Sequence, residues 1–290
     1  MATQHEAFMK KVRRLGKMLD ALAAVSPSLA GRAGFRIFCT PRRIPFKEQD
    51  RHFLATASPF FFRSCKYRMS GYTWASERED APEVLCLHGW ESNSARWRHF
   101  IRGMHAAGFT VHAFDAPASG GSGGKLLNVI RYSRAVSDLV ARRGKPLYAM
   151  VGHSLGGAAA VMSTAMLQVP YPEKMVLLGV FAESKRVIED FGKILGVGDT
   201  VLGGIAREIE RRSGVPVEEY SIAKKAALLT DIEGFVLHDR DDEVAPVAEG
   251  RRIAESWQAR YLETKGLGHR MQDPAVVREV VKFLRTPKTG

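Results

Sequence analysis

The segment from Tyr148 to Val161, YAMVGHSLGGAAAV, restricts the fold of this chain more than any other stretch. An apolar run typical of a buried strand leads to Ser154, which stands between two glycines, and a run of small apolar residues follows. A strand that turns at once into a helix needs small residues around the turn, because the two elements pass close together. Such a turn lifts the serine hydroxyl out of the sheet edge, beside the unpaired amides of the first helical turn. We therefore predict a sharp strand-to-helix turn with Ser154 as a nucleophile.

The rest of the chain alternates between strand and helix patterns. Apolar runs that end in turns predict buried strands, and the segments between them predict helices. An alternating order of this kind indicates a parallel sheet covered by helices on both faces. Ahead of it, short aromatic and β-branched runs between residues 35 and 76, with FRIFCT at 35–40 among them, predict leading antiparallel strands. The runs that predict the parallel strands include EVLCLHGW, FTVHAFDAP, PLYAMVG, KMVLLGV and GFVLHD.

Residues 183–230 interrupt this alternation with a mostly helical pattern. We predict a small helical cap there, a basic helical extension over residues 1–50, and a core made of residues 51–182 and 231–290. The cap carries apolar side chains at helical spacing, and we expect them to be buried over the mouth of a site for a hydrophobic acyl group. These apolar residues are Phe191, Ile194, Leu195, Val197, Val201, Leu202 and Ile205.

Five short motifs follow one another along the chain. They are LHGW at 87–90, FDAPASGGS at 114–122, GHSLGG at 152–157, HDRDDEVAP at 238–246 and GLGHR at 266–270. In these motifs the chain, from about residue 50 onward, resembles the α/β-hydrolase fold superfamily, although Ser119 stands where many members have histidine or glycine. The resemblance implies an α/β-hydrolase fold, with a mostly parallel central sheet, helices on both faces and a small helical cap.

A serine hydroxyl needs a base to take its proton, and that base is held by a carboxylate. In the chain order Ser, Asp, His, the histidine lies downstream, and His269 fits because it follows a glycine-containing turn. The acid is harder to choose, since the segment HDRDDE offers several carboxylates. In the resembled family the acid stands four residues before a proline. That offset selects Asp242, with Asp239 and then Asp241 as the alternatives.

The resemblance also implies the remaining parts of the site and its chemistry. The backbone N–H groups of Trp90 and Leu155 match the family's oxyanion donors, and His88 is expected to brace the loop before Trp90. The implied activity is a serine hydrolase that cleaves a carboxylic ester, or a thioester, of a small to medium hydrophobic acyl group. The alternatives are an acyltransferase, a non-haem peroxidase, or a ligand-binding or signalling protein on the same scaffold. A serine at residue 154 argues against the members that use an aspartate there.

No cofactor or metal is expected. GGSGGKLL at 120–127 differs from a phosphate-binding loop, because Ser119 replaces its first glycine and Leu126 follows the lysine. No dinucleotide fingerprint follows the first strand, and no histidines, cysteines and carboxylates have metal-ligand spacing. The three cysteines have no paired spacing and predict free thiols in a reducing cytoplasm.

Positive charge is concentrated at the start of the chain. The net charge is +12, and the first 80 residues hold 15 Lys and Arg against 7 Asp and Glu. No nucleic-acid fold signature accompanies it, so no nucleic-acid partner is expected. Residues 9–22 have the apolar spacing of a helix and no clean signal-peptide region. We expect this helix to pack on the main body, or else to lie on an anionic membrane surface.

Overall fold

The computed structural model of the protein describes residues 2–167, 170 and 172–287. Eight strands form one sheet in the order β1-β2-β4-β3-β5-β6-β7-β8. The first two strands form an antiparallel hairpin, and β2 pairs antiparallel with β4, whereas all the other neighbours are parallel. The strands are β1 (Ser58–Ser64), β2 (Tyr67–Trp74), β3 (Glu83–Leu87), β4 (Thr110–Phe114), β5 (Ala149–His153), β6 (Lys174–Leu178), β7 (Glu233–Asp239) and β8 (Arg260–Thr264).

Helices connect the parallel strands and cover the sheet, as the alternating pattern predicted. The α-helices are α1 (Ala2–Val25), α2 (Pro27–Phe38), α3 (Glu48–Leu54), α4 (Arg98–Ala106), α5 (Val129–Arg143), α6 (Leu155–Leu167), α7 (Ser184–Leu195), α8 (Asp199–Ser213), α9 (Ile222–Ala226), α10 (Val247–Trp257) and α11 (Pro274–Arg285). Short 3-10 helices cover Ser94–Trp97, Val217–Tyr220 and Gly268–Arg270.

The central strands are buried on both faces, as near-continuous apolar runs require. Every second residue of β3, β5, β6 and β7 points to one face of the sheet, where it packs in a core with the aromatic side chains of Trp97, Phe100 and Phe283. On the opposite face α5 packs on α6, and α9 packs on α6 and α10. This core places the carboxyl ends of the parallel strands at one edge of the sheet.

Contacts divide the chain into two compact units, counting only the described residues of each range. The sheet unit comprises Pro41–Ala182 and Ile222–Gly290, and the helical unit comprises Met1–Thr40 and Glu183–Ser221. The N-terminal helices and the insertion, which the sequence analysis treated as separate segments, therefore belong to one unit. The two segments of this unit end at Thr40 and Ser221, whereas the predicted ends were residues 50 and 230, because α3 and α9 pack in the sheet unit.

The helical unit shows what the apolar insertion packs against. Its buried face packs against the N-terminal helices, since α8 lies along α2 and Gly31 meets Gly204 so closely that a Cβ on Gly31 would lie 2.5 Å from the Gly204 carbonyl carbon. Ile205 is completely buried. The rings of Phe191 and Phe38 pack edge to face, with their centroids 5.1 Å apart. These side chains have a partner within the unit, so they do not by themselves define an acyl pocket.

The segment FRIFCT is helical rather than extended, which corrects the prediction of a strand there. Residues 35–38 form the last turn of α2, whose start is fixed by the Ser26 cap and by Pro27 in its first turn. Aromatic and β-branched residues favour strands only weakly, and here packing of Phe35 and the Gly31 face against α8 overrides that preference.

Candidate active site

Ser154 occupies the turn between β5 and α6, as the opening motif predicted. Its φ is +51°, a left-handed conformation that is rare for a residue with a side chain. The flanking glycines are required by close approach: a Cβ on Gly152 would lie 2.4 Å from the Gly157 Cα, and one on Gly156 would lie 2.2 Å from the Leu87 oxygen. The Ser154 N–H donates to the Leu178 oxygen at 2.9 Å, which fixes the strained turn to the neighbouring strand.

His269 and Asp242 meet at the same edge of the sheet. The His269 Nδ1 donates to the Asp242 Oδ2 at 2.8 Å, and the Asp242 side chain is fully buried whereas that of His269 is partly exposed. With its proton on Nδ1, the imidazole keeps Nε2 as the free basic nitrogen. Gly179, which follows β6, leaves room for this pair, because a Cβ there would lie 3.3 Å from Asp242 Oδ2.

Besides His269, two backbone N–H groups donate to the Asp242 carboxylate, and His238 lies close to it. Its Oδ1 accepts from the N–H groups of Val244 at 2.9 Å and Ala245 at 2.8 Å. The His238 Nε2 donates to the Ala245 oxygen at 2.6 Å and lies 3.3 Å from Asp242 Oδ2. Burial raises the pKa of Asp242, but the neighbouring His238 and the hydrogen bonds from His269 and the backbone outweigh burial and hold the pKa well below its usual range. The carboxylate is therefore ionised at neutral pH.

Asp239, the alternative acid, binds backbone instead of histidine. Its oxygens accept from the N–H groups of Leu267 at 3.1 Å and Gly268 at 3.0 Å, and from the Thr264 hydroxyl at 2.7 Å. Burial raises the pKa of Asp239, but the hydrogen bonds to its carboxylate outweigh burial, so the net pKa lies below the ordinary value. Asp241 accepts from the Gly266 N–H at 2.9 Å. Both carboxylates thus hold the loop that carries His269.

The buried His153 and the half-buried Arg96 hold the other side of that loop. The His153 Nε2 donates to the His269 backbone oxygen at 2.7 Å, and the Arg96 Nη2 donates to the next backbone oxygen, that of Arg270, at 2.9 Å. Burial lowers the pKa of His153 well below its usual range, and the positive charges of Arg96 and His269 add to that effect. His153 is therefore neutral and keeps its proton on Nε2, where the bond to the loop is made.

The turn after β3 lies directly against Ser154. A Cβ on Gly89 would lie 3.1 Å from the Ser154 Cβ, so only glycine leaves room for the serine. The His88 Nε2 accepts from the Ala116 N–H at 2.9 Å, which leaves the proton on Nδ1 to donate to the Gly89 oxygen at 2.8 Å. Because the C=O of Gly89 and the N–H of Trp90 belong to one trans peptide and point in opposite directions, His88 fixes the direction of the Trp90 N–H.

An ion pair that the sequence analysis missed holds the next residue of this turn. The carboxylate of Glu91, whose φ is +46°, accepts from the backbone N–H of Arg42 at 2.9 Å and from its Nε at 2.8 Å. Arg43 donates to the backbone oxygens of Ser119 at 3.2 Å and Gly120 at 2.5 Å. Arg42 is 49 positions from Glu91 and Arg43 is 76 positions from Ser119, and no local sequence signal pairs them. Only the tertiary structure reveals these contacts.

Ser154, Asp242 and His269 all lie on turns at the carboxyl edge of the sheet, as does the Gly89–Trp90 peptide, and Leu155 is the first residue of α6. Such an arrangement can supply a nucleophile, a base with an ionised partner, and backbone N–H donors. Among the residues that the structure describes, no group of three or more His, Cys, Asp or Glu side chains could hold a metal ion. In the same part of the chain, no helix has the length and apolar character needed to cross a membrane.

The fold and this edge of the sheet define the class of protein: an α/β protein with a serine on a strained turn between a strand and a helix. A model of the alpha/beta hydrolase family matches residues 84–280. The chain therefore belongs to the alpha/beta hydrolase family.

Two curated relatives are similar to the chain over about half of its length. A monoacylglycerol lipase of Mycolicibacterium smegmatis is 28% identical over 152 residues, which cover 50% of this chain and 51% of the relative. A pimeloyl-[acyl-carrier protein] methyl ester esterase of Klebsiella pneumoniae is 30% identical over 143 residues, 49% of this chain and 51% of the relative. The chain thus spans about half the length of these relatives.

Solved structures share the fold at lower sequence identity. The Pyrococcus furiosus esterase Pf2001 has a TM-score of 0.66 at 16% identity, covering 87% of this chain and 98% of the esterase. The enol-lactonase of Burkholderia xenovorans has a TM-score of 0.61 at 16% identity, covering 78% of this chain and all of the lactonase. At this identity the likeness establishes the architecture and not the reaction.

Proposed function

We propose that this protein hydrolyses a carboxylic ester or thioester of a small to medium hydrophobic acyl group, with Ser154 as nucleophile, His269 as base and Asp242 as its partner. The observation that carries the proposal is the hydrogen bond from His269 Nδ1 to the buried Asp242 carboxylate, at the same edge of the sheet as a serine held at positive φ. The names of the two curated relatives, a lipase and a methyl ester esterase, support the choice of an ester.

In the first half of the reaction His269 Nε2 takes the proton of the Ser154 hydroxyl while the serine oxygen bonds to the carbonyl carbon of the ester. The carbonyl oxygen becomes an oxyanion and accepts from the backbone N–H groups of Trp90 and Leu155. When the intermediate collapses, the bond to the leaving oxygen breaks and His269 returns the proton to it. The alcohol departs and the acyl group stays on Ser154.

In the second half a water molecule replaces the alcohol. The water oxygen attacks the acyl carbon while His269 takes one proton from the water. The same two N–H groups stabilise the oxyanion. Collapse breaks the bond to Ser154, the proton returns to the serine, and a carboxylic acid leaves. Asp242 stays ionised throughout and stabilises the charged imidazole without taking its proton.

Fluorophosphonate labelling tests the nucleophile, and p-nitrophenyl esters of increasing chain length test the reaction. Wild type should be labelled and turn over acetate, butyrate and octanoate esters. Ser154→Ala should lose labelling and about 10⁴-fold or more of its turnover. A labelled Ser154→Ala variant would contradict the assignment.

The same assays separate the alternatives. Labelling without hydrolysis, together with faster product formation when an added alcohol is present, would identify an acyltransferase. An unlabelled, inactive wild type would favour a binding or signalling protein on the hydrolase scaffold.

A further inference from the structure

The outer face of α1 carries a dense group of cations. The helix contains two carboxylates, Glu6 near its start and Asp20, and Asp20 accepts a hydrogen bond from the Gly198 N–H at 3.0 Å. Between these two acidic positions the exposed side chains are predominantly cationic. The exposed cations are Lys10, Lys11, Arg13, Arg14 and Lys17.

Large apolar side chains are exposed on the same helices. Met18 is 61% exposed, Val25 is 85% exposed, and Leu29 at the start of α2 is 51% exposed. Isolated exposed apolar residues are ordinary, but here three occur within twelve residues of the chain. The opposite face of α1 is packed within the helical unit, since Leu19 and Ala23 are 3% and 5% exposed.

Cations and apolar residues share one stripe of the helix. Lys11, Arg14, Met18 and Val25 follow one another at spacings of three, four and seven, which places them on one face. A helix that only needed solubility would not place Met18 and Val25 among its charges. We call this stripe, together with Lys10, Lys17 and Leu29, the basic ridge.

We propose that the basic ridge docks on a bilayer surface that contains anionic lipid. The ammonium and guanidinium groups would neutralise lipid headgroups, and the methionine, valine and leucine side chains would enter the boundary with the acyl chains. A soluble polyanion such as DNA would use the charges alone and leave the apolar side chains without a partner. The proposal does not depend on the hydrolytic activity, because every residue of the ridge lies in the helical unit.

The expected affinities follow from the charges. Each cation near an anionic bilayer contributes about a fivefold change in Kd, the equivalent of about 1 kcal/mol. The double variant Lys11→Gln with Arg14→Gln should therefore bind about 25-fold more weakly. Raising the salt to about 0.5 M should weaken wild-type binding as well, because the charges are exposed and screened.

Vesicle co-sedimentation of the full chain tests the proposal, with phosphatidylcholine vesicles that contain or lack about 30% phosphatidylglycerol. Wild type should sediment only with the anionic vesicles. Both Lys11→Gln/Arg14→Gln and Met18→Ser/Val25→Ser should remain in solution. The control Arg63→Gln/Arg278→Gln removes two exposed cations of the sheet unit and should bind like wild type. Thermal melts of all variants should coincide, since every altered side chain is exposed.

Two results would overturn the proposal. Equal sedimentation with neutral and anionic vesicles would remove the role of charge. Undiminished binding by Met18→Ser/Val25→Ser, with release by competing duplex DNA, would identify a polyanion site instead. Ser154→Ala should sediment like wild type, so loss of membrane binding and loss of the proposed catalysis are measured separately.

Discussion

Replacing Asp242 with asparagine should affect catalysis far more than replacing Asp239, although both carboxylates lie in the same turn. The reason lies in the donors around residue 242. An asparagine there can point its oxygen either at the backbone N–H groups of Val244 and Ala245 or at the histidines. Pointing it at the histidines would leave the buried N–H of Ala245 without an acceptor, at a cost of about 1–3 kcal/mol, and would also break the part-buried bond from Val244.

The other orientation is therefore favoured, and it sets the amide NH₂ of residue 242 against the Nδ1–H of His269. Two donors cannot face each other, so the imidazole must move its proton to Nε2. Nε2 then cannot accept the proton of Ser154. Loss of the correct tautomer costs on the order of 10⁴ in kcat, or about 5 kcal/mol of transition-state stabilisation.

Asparagine at 239 has a different effect. The asparagine side chain keeps one oxygen, which can accept from the N–H of Gly268 or of Leu267 but not from both. One hydrogen bond to the histidine loop is therefore lost, and the tautomer of His269 is unchanged. We expect a loss of stability of about 1–3 kcal/mol and a loss of activity of about 10²-fold or less through misplacement of the histidine loop. The assay is kcat on p-nitrophenyl butyrate at neutral pH, with thermal melts to match the folded fractions. A larger kcat loss for Asp239→Asn than for Asp242→Asn would refute the reasoning.

Three further predictions follow from individual contacts. His88→Phe frees the Gly89–Trp90 peptide to rotate and should lower kcat by about 10- to 10²-fold with little change in KM, and His88→Asn should recover part of the loss. Because the folded-state pKa of Asp239 is depressed, its stabilisation is present above the unfolded pKa of about 3.9 and is lost as pH falls through the folded value. The Tm difference between wild type and Asp239→Asn should therefore shrink as the pH is lowered below about 4. Gly31→Ala should destabilise the helical unit in a thermal melt. The matched control Gly203→Ala, whose Cβ would meet only the flexible end of Arg207 at 3.4 Å, should stabilise it by about 0.5–1 kcal/mol.

Local sequence was sufficient for those parts of the fold whose signals are local. The turn at Ser154 was predictable because a strand pattern, two glycines and a helix pattern occur within 14 residues, and the backbone can satisfy them in only one way. The alternating order determined the parallel sheet for the same reason, and α6 begins and ends where its pattern does. The family resemblance added the candidates His269 and Asp242, which lie within hydrogen-bonding distance.

The tertiary structure decided what depends on partners distant in the chain. FRIFCT has a strand-like composition, yet packing against α8 makes it the end of a helix, because intrinsic preferences are small compared with burial. The apolar face of the insertion was evident in the sequence, but its partner, the N-terminal helices more than 150 residues earlier, was not. The same limit applies to the turn around residue 242, where three nearby carboxylates look alike in the sequence. Only the folded backbone, which brings the loop at 266–270 beside them, gives His269 to one and the loop amides to the others.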